Sequence, residues 1–225
     1  MTRGPRSSST PQEEHEVHSR IKKSVGSTLV VGAALTMLAM PVLGAANIDF
    51  FAGLAPVPHA ATADSGSNAS GQASIEYVRG TTYLVTVNAS GLSPNLPHLA
   101  HIHGVVKAQN ECPGPQAAGS DGLIDTLDGL PSYGPILVTF ATSGDTSAAA
   151  GLNIGTAPVS DANGNLFFQR EITLKGNVAA NLSDLHVVIH GEDLNDNGMY
   201  DGQPSTLAPG VALEAELPVA CGTID

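Results

Sequence analysis

An all-β sandwich or barrel is the fold that this sequence predicts, and three observations favour it. Gly, Ser, Thr, Asn, Asp and Pro recur every several residues between short apolar runs, as in chains of short strands joined by turns. Several runs alternate apolar and polar residues, which is the period of a strand with one buried face. No long helical period follows the N-terminal region. With 225 residues and 42% hydrophobic content, the chain can form one domain with a packed core.

The N-terminal region is predicted to lie outside the fold. Residues 1–20 are polar and contain nothing that could fill a core. The stretch 25–43 is almost wholly apolar and follows three basic residues, which is typical of a signal peptide or a membrane anchor. Small residues at Gly44 and Ala46, and again at Ala61 and Ala63, each fit a cleavage site, so we expect a secreted or cell-surface protein, with an uncleaved anchor as the alternative. The predicted organisation is a leader over 1–46, a linker over 47–70 and a β domain over 71–225.

Within the domain, alternation and turn residues place the strands. A hairpin is predicted first, and the histidine-rich stretch and four further strands follow it. The segments 105–133 and 192–209 are rich in Gly, Asp and Pro, so both are predicted to be long loops. The predicted strand segments are 73–79, 81–89, 97–104, 135–141, 166–174, 185–191 and 211–217.

The charge balance excludes one class of partner. The net charge is −12 and the pI is about 4.8, whereas nucleic-acid binding needs clustered Lys and Arg. We expect an acidic, solvated surface and no nucleic acid.

Histidines at two places predict a metal site. In a strand over 97–104, His101 and His103 share a face while Ile102 points to the other side, into a core. His190 ends the apolar strand 185–191. If His190 meets the first pair in space, three imidazoles converge. Imidazole suits copper and zinc alike, so the ligands alone do not fix the metal. A His-x-His pair by itself is more often structural.

Four short motifs, in order along the chain, resemble the copper/zinc superoxide dismutase superfamily. They are His98-x-x-His101-Ile-His103-Gly, Asn110-Glu-Cys112 with Gly114-Pro115, Val187-Val-Ile-His190, and Leu217-Pro-Val-Ala-Cys221-Gly-Thr-Ile224. The resemblance implies a Greek-key β-barrel with long loops. It also implies copper on His101, His103 and His190, and a supporting role without ligation for His98. The stretch Ala89-Ser-Gly-Leu-Ser-Pro94 before the His-x-His also resembles the CHRD domain, a β-module of secreted proteins.

The same resemblance implies a disulfide between Cys112 and Cys221. Two free thiols are the alternative. An exported protein meets an oxidising compartment, so we expect the bridge.

Departures from the enzyme pattern shape the functional prediction. Active members carry a bridging histidine and further zinc ligands in the long loop, but no histidine lies between Val105 and Leu185. Zinc is therefore not expected. Pro218 occupies the position of the arginine that guides superoxide, and Lys107 is the nearby cation in sequence. We expect an exported copper-binding domain with weak or lost superoxide dismutation. Whether it is an enzyme stays open, and its oligomeric state is not predicted. The alternative is a non-catalytic CHRD-like module for cell-surface binding or structure.

One further motif resembles a calcium loop. Asp193, Asn195, Asn197 and Asp201 have the spacing of its first four side-chain positions, but Pro204 stands where a bidentate Glu is usual. We favour a polar turn, with calcium as the alternative. The histidines in the leader and linker, including His59, are expected to have no role.

Overall fold

The computed structural model describes residues 49–59, 67–104, 109 and 111–225. Eight strands form one antiparallel sheet in the order β5-β4-β7-β8-β1-β2-β3-β6. The strands are β1 (Asp49–Pro56), β2 (Ser70–Arg79), β3 (Thr82–Ser90), β4 (Ala100–His103), β5 (Ile136–Thr139), β6 (Leu166–Thr173), β7 (His186–His190) and β8 (Pro218–Thr223). The α-helices are α1 (Thr126–Tyr133), α2 (Gly176–Ala179) and α3 (Leu213–Glu216).

The sheet curls into a half-barrel whose two edge strands, β5 and β6, are joined by side chains. The Arg170 guanidinium on β6 donates to the carbonyls of Ala141 and Gly144, at 2.6 and 2.8 Å. Phe168 on β6 stacks on Phe140, with ring centroids 5.6 Å apart. The order β7-β4-β5, followed across this junction by β6, is that of a Greek key. The predicted all-β fold class is confirmed.

The β2–β3 hairpin shows why alternation predicted strands here. Ala73 and Ile75 on β2 face the core beside Val85 and Val87 on β3, while the residues between them face outward. The hairpin turns at Gly80, whose φ of 58° suits glycine. The Gly80 backbone N–H donates to the Tyr77 hydroxyl at 2.8 Å.

Two apolar clusters lie on opposite sides of β4, β7 and β8. The larger is the interior of the half-barrel and includes Ile102, Val187 and Ile189. The smaller lies under the loops on the other side. Its members are Val57, Ile124, Tyr133, Val188 and Cys221, with Cys112, Ala117 and Ala118 at its margin.

The predicted linker over 47–70 is wrong. β1 occupies 49–56 inside the sheet, where it pairs with β2 along most of its length and with β8 at its end. Ala52 and Leu54 of β1 are buried in the main cluster. The Gly, Ala and Pro content of this stretch is typical of a linker, but hydrogen bonds from two neighbouring strands make it a strand. The domain thus begins about twenty residues before the predicted boundary.

Two secondary-structure predictions are also wrong. The segment predicted as a loop over 105–133 contains α1, which begins with a reciprocal capping box between Asp125 and Asp128. The segment 211–217, predicted to be a strand from its alternation, forms the short helix α3, and the last strand follows it at Pro218–Thr223. In both places local hydrogen bonding and packing override the pattern of the sequence.

The predicted disulfide is present. Cys112 and Cys221 are bonded, with their Cα atoms 5.7 Å apart and a sequence separation of 109. The bridge fastens the loop that leads to α1 onto β8. It is consistent with an extracellular protein. No helix in the described part of the chain is long and apolar enough to cross a membrane, and the predicted leader over 1–46 lies outside the described residues.

Candidate metal centre

Strands β4 and β7 bring the three predicted histidines together. The two strands are antiparallel, with His101 opposite Val188 and His103 opposite His186. Directly opposed residues point to the same side of a sheet, so His101, His103 and His190 share the side away from the main core. Ile102, between the first two, faces the main core as predicted.

The ring nitrogens of the three histidines converge on one small volume. His103 Nε2 lies 3.4 Å from His101 Nδ1 and 3.4 Å from His190 Nε2. One nitrogen from each ring lies within 4.8 Å of the other two. Among the described residues, this is the only group of three or more His, Cys, Asp or Glu side chains that could hold a metal ion.

The outward nitrogen of each ring meets a backbone carbonyl. His101 Nε2 lies 2.9 Å from the Gly151 oxygen, His103 Nδ1 lies 2.8 Å from the Gly134 oxygen, and His190 Nδ1 lies 2.7 Å from the Glu216 oxygen. A carbonyl only accepts, so each outward nitrogen carries the proton and donates. The three inward nitrogens therefore carry lone pairs. Three lone pairs facing one another repel, and a cation between them would relieve the repulsion.

Burial keeps the three rings neutral. It lowers the pKa of His101 well below its usual range, with His190 and His103 adding to the effect. Burial lowers the pKa of His103 to about 3 and that of His190 to about 4. A metal ligand must be the deprotonated imidazole, so the site is in its binding form at neutral pH.

The two shorter donor spacings fit a metal ion. Two imidazole nitrogens about 2.0–2.1 Å from one metal, at an angle between tetrahedral and trigonal, are roughly 3.3–3.6 Å apart. Both short nitrogen pairs here are 3.4 Å apart. The outward N–H groups are already bound to carbonyls, as is usual for ligating histidines. The donor set accommodates a transition metal without fixing which one.

Three segments outside the strands enclose the site. Gly134 follows α1, Gly151 follows a short 3₁₀ turn (Ala148–Ala150), and Glu216 ends α3. Tyr133 packs edge-on against His103, with ring centroids 4.7 Å apart. As a result His101, His103 and His190 are only 1%, 0% and 2% exposed.

His98 lies behind the site and holds the backbone of a predicted ligand. Its Nδ1 is 3.1 Å from the His190 carbonyl oxygen and its Nε2 is 3.1 Å from the Ser93 carbonyl oxygen. The Tyr200 hydroxyl reaches Nδ1 at 3.4 Å. Burial lowers the pKa of His98, so the ring is neutral and donates to one of these two carbonyls only. It offers no nitrogen to the group of three.

The predicted calcium loop is a polar turn closed by its own hydrogen bonds. The Asp193 carboxylate accepts from the backbone N–H of Gly198 at 2.7 Å, and the side-chain amides of Asn195 and Asn197 donate to Asp201 at 3.1 and 2.7 Å. The buried Glu214 carboxylate accepts from the Asp201 backbone N–H at 2.7 Å. Calcium binding stays the alternative to the favoured polar turn.

The expectation that His59 has no role is wrong. Its ring is buried, and Nδ1 accepts from the Ile124 backbone N–H at 2.9 Å. Its Nε2 lies 3.4 Å from the Glu192 carboxylate. His59 thus connects the segment after β1 to the loop before α1. It was predicted to have no role because it lies in the stretch 47–70, which was predicted to be a linker, and β1 was missed for the same reason.

Several contributors to the site were not predicted from sequence. Gly134, Gly151 and Glu216 act through backbone carbonyls, which no side-chain motif reveals. Tyr133 could have been found only by recognising α1 from the spacing of Asp125, Asp128 and Gly134, which cap a helix.

Comparison with known proteins gives no family assignment. No protein-family model matches the chain, and no curated protein matches it significantly. The superoxide dismutase resemblance rests on the four motifs and is carried forward as a proposal.

Proposed function

We propose that this chain is an exported copper-binding domain of the superoxide dismutase-like type, in which His101, His103 and His190 hold the metal. The observation that carries the proposal is the arrangement of protons on the three rings. Each outward N–H is bound to a carbonyl, and each inward lone pair points at the other two. Copper is chosen through the motif resemblance, since imidazole suits several metals.

The charges near the site favour a cation and disfavour an anion. Burial raises the pKa of Tyr133, and the negative charges of Asp125, Glu216 and Asp128 raise it further. These carboxylates therefore act at the ring that covers His103. The Arg170 guanidinium is bound to carbonyls at the sheet junction. Among the described residues these charges make the local potential negative, which attracts a metal cation and repels superoxide, and Lys107 lies outside the described residues.

Superoxide dismutation is expected to be weak or lost. The reaction needs a metal that cycles between two oxidation states, an open coordination position and access for a small anion. The chain lacks the bridging histidine, the further zinc ligands and the guiding arginine of the resembled enzymes. When bound, copper would supply one-electron redox chemistry, while the described residues hold it in a buried, negatively charged setting.

Metal analysis after copper loading tests the proposal. The wild-type protein is expected to retain one copper per chain after desalting, and the His101→Ala and His190→Ala variants to lose it. Val187→Ala is the matched control, because Val187 is equally buried on the same strand, faces the main core and has no metal donor. No stoichiometric copper in the wild type, or equal retention in the histidine variants, would eliminate the proposal.

A superoxide assay separates copper binding from catalysis. Copper-loaded wild type is expected to remove superoxide no faster than the same concentration of His103→Ala. If the wild type is clearly faster, the protein is an enzyme. If copper is not bound at all, the hypothesis that remains is a non-catalytic CHRD-like module.

A further inference from the structure

The buried face of α1 faces His103 and His190, two of the three histidines. Its buried residues are Thr126, Gly129 and Tyr133, which recur at the spacing of one helix face. Tyr133 is 0% exposed and its ring contacts His103 and, at 6.5 Å between centroids, His190. The helix therefore presents an aromatic ring to the metal site.

The position of the Tyr133 ring is fixed by hydrogen bonds and by a glycine. The Tyr133 hydroxyl donates to the Thr126 carbonyl at 3.3 Å. The Thr126 hydroxyl donates at 2.8 Å to the Glu216 carbonyl, which also accepts from His190. A Cβ atom at Gly129 would collide with the Tyr133 ring, so glycine leaves the space that the ring occupies.

Packing in the smaller apolar cluster and the nearby disulfide also fix the position of Tyr133. Tyr133 packs in the smaller apolar cluster with Val188 and Cys221, and Cys221 is bonded to Cys112. Tyr133 is thus attached to β7 by packing against Val188, and the loop that leads to α1 is attached to β8 by the disulfide. A ring fixed in this way does not leave the site without local unfolding.

We propose that Tyr133 is a specificity-determining lid that denies exogenous anions access to the metal. The inference rests on the proposed copper site and concerns what the bound metal can meet. Metal sites that act catalytically keep an open position, whereas structural sites are closed. Here the ring covers the side of His103 and His190 that α1 faces. The site holds a metal and excludes small anionic substrates.

Azide binding to the copper(II)-loaded protein tests the lid. Copper content is measured first for each variant. Wild type is expected to show no azide-dependent change in its visible or electron paramagnetic resonance spectrum. Tyr133→Phe keeps the ring and is expected to behave as wild type, while Tyr133→Ala is expected to gain an azide-dependent band. Removal of copper by a chelator should be at least about tenfold faster in Tyr133→Ala, because opening the site no longer needs local unfolding.

Two further variants distinguish removal of the Tyr133 ring from a general loss of fold stability. Tyr133→Leu keeps apolar contact but opens part of the ring's space, so it replaces Tyr133→Ala if that variant does not fold. Phe140→Leu is the matched control, since Phe140 is an equally buried aromatic in the main core on the other side of the sheet. It is expected to stay unreactive to azide.

The outcomes separate this inference from the proposed function. Wild type that holds no copper overturns the proposed site and the lid with it. Wild type that holds copper but binds azide as readily as Tyr133→Ala overturns the lid alone. So does a folded, copper-loaded Tyr133→Ala or Tyr133→Leu that remains unreactive.

Discussion

The two sides of the β4–β7 strand pair differ in how they are stabilised. On the inner side, Ile102, Val187 and Ile189 are buried among apolar side chains, and removing them from water is favourable in itself. On the outer side, His101, His103 and His190 are equally buried but polar. Burying polar groups is unfavourable unless they are hydrogen-bonded, and here each ring has one nitrogen satisfied and one facing its neighbours. The inner side stabilises the fold, and the outer side holds three imidazoles that could bind a metal ion.

The outer side of the strand pair has to be covered by several other segments of the chain. Alternation along a strand suffices to place Ile102 in a core, but the histidine side is closed by α1, by the turn before Gly151 and by α3. The disulfide fastens this covering layer to β8.

Loss of the disulfide should give the largest effect. Cys112 and Cys221 are separated by 109 positions, and on the chain-entropy model closing a loop of this length contributes about 4–5 kcal/mol to the free energy of unfolding. Reduction should lower the melting temperature and speed copper loss, since the covering layer is released from β8. Calorimetry with and without reductant measures it. Equal stability under both conditions would show that the bridge does not hold the outer side.

Truncation on the inner side should destabilise without touching the metal site. Ile102→Ala leaves a cavity in the main core and should lower the free energy of unfolding by about 3 kcal/mol. Its copper content, measured below the melting temperature, should stay at one per chain. Denaturant unfolding together with metal analysis tests both parts. Loss of copper at full folding would mean that the two sides are not separable.

Mild acid should destabilise the metal-free protein through its buried histidines. The pKa values of His103 and His190 fall to about 3 and about 4 in the folded state, from about 6.5 when unfolded. The unfolded chain therefore binds protons that the folded chain does not. This contribution is fully present above about pH 6.5 and is lost as pH falls toward the folded values.

Each histidine whose pKa is lowered in this way makes the free energy of unfolding fall by up to about 1.4 kcal/mol for each pH unit below about pH 6.5. Denaturant unfolding of chelator-treated protein between about pH 7.5 and 5 measures the slope, because most carboxylates stay ionised over that range. His190→Ala should show a shallower slope. A flat profile in the wild type would contradict the assignment of neutral, buried rings.

The sequence was a good guide where side-chain pattern decides the structure. Alternation predicted the β2–β3 hairpin, and the spacing of His101, His103 and His190 predicted the group of three. It failed at β1, where Ala52 and Leu54 are too few and small to distinguish a strand from a linker. It also failed at α1 and α3, which are short helices stabilised by caps and packing. The partners of the histidines could not be predicted, because carbonyls of Gly134, Gly151 and Glu216 are set by tertiary structure.

X-ray absorption at the copper edge counts the imidazole ligands of the bound metal directly. For wild-type protein loaded with one equivalent of copper, we expect three imidazole nitrogens at about 2.0–2.1 Å. The same measurement on His190→Ala, where metal is retained at all, should show fewer imidazoles. A spectrum dominated by oxygen or sulfur ligands, or two or fewer imidazoles in the wild type, would contradict a site formed by His101, His103 and His190.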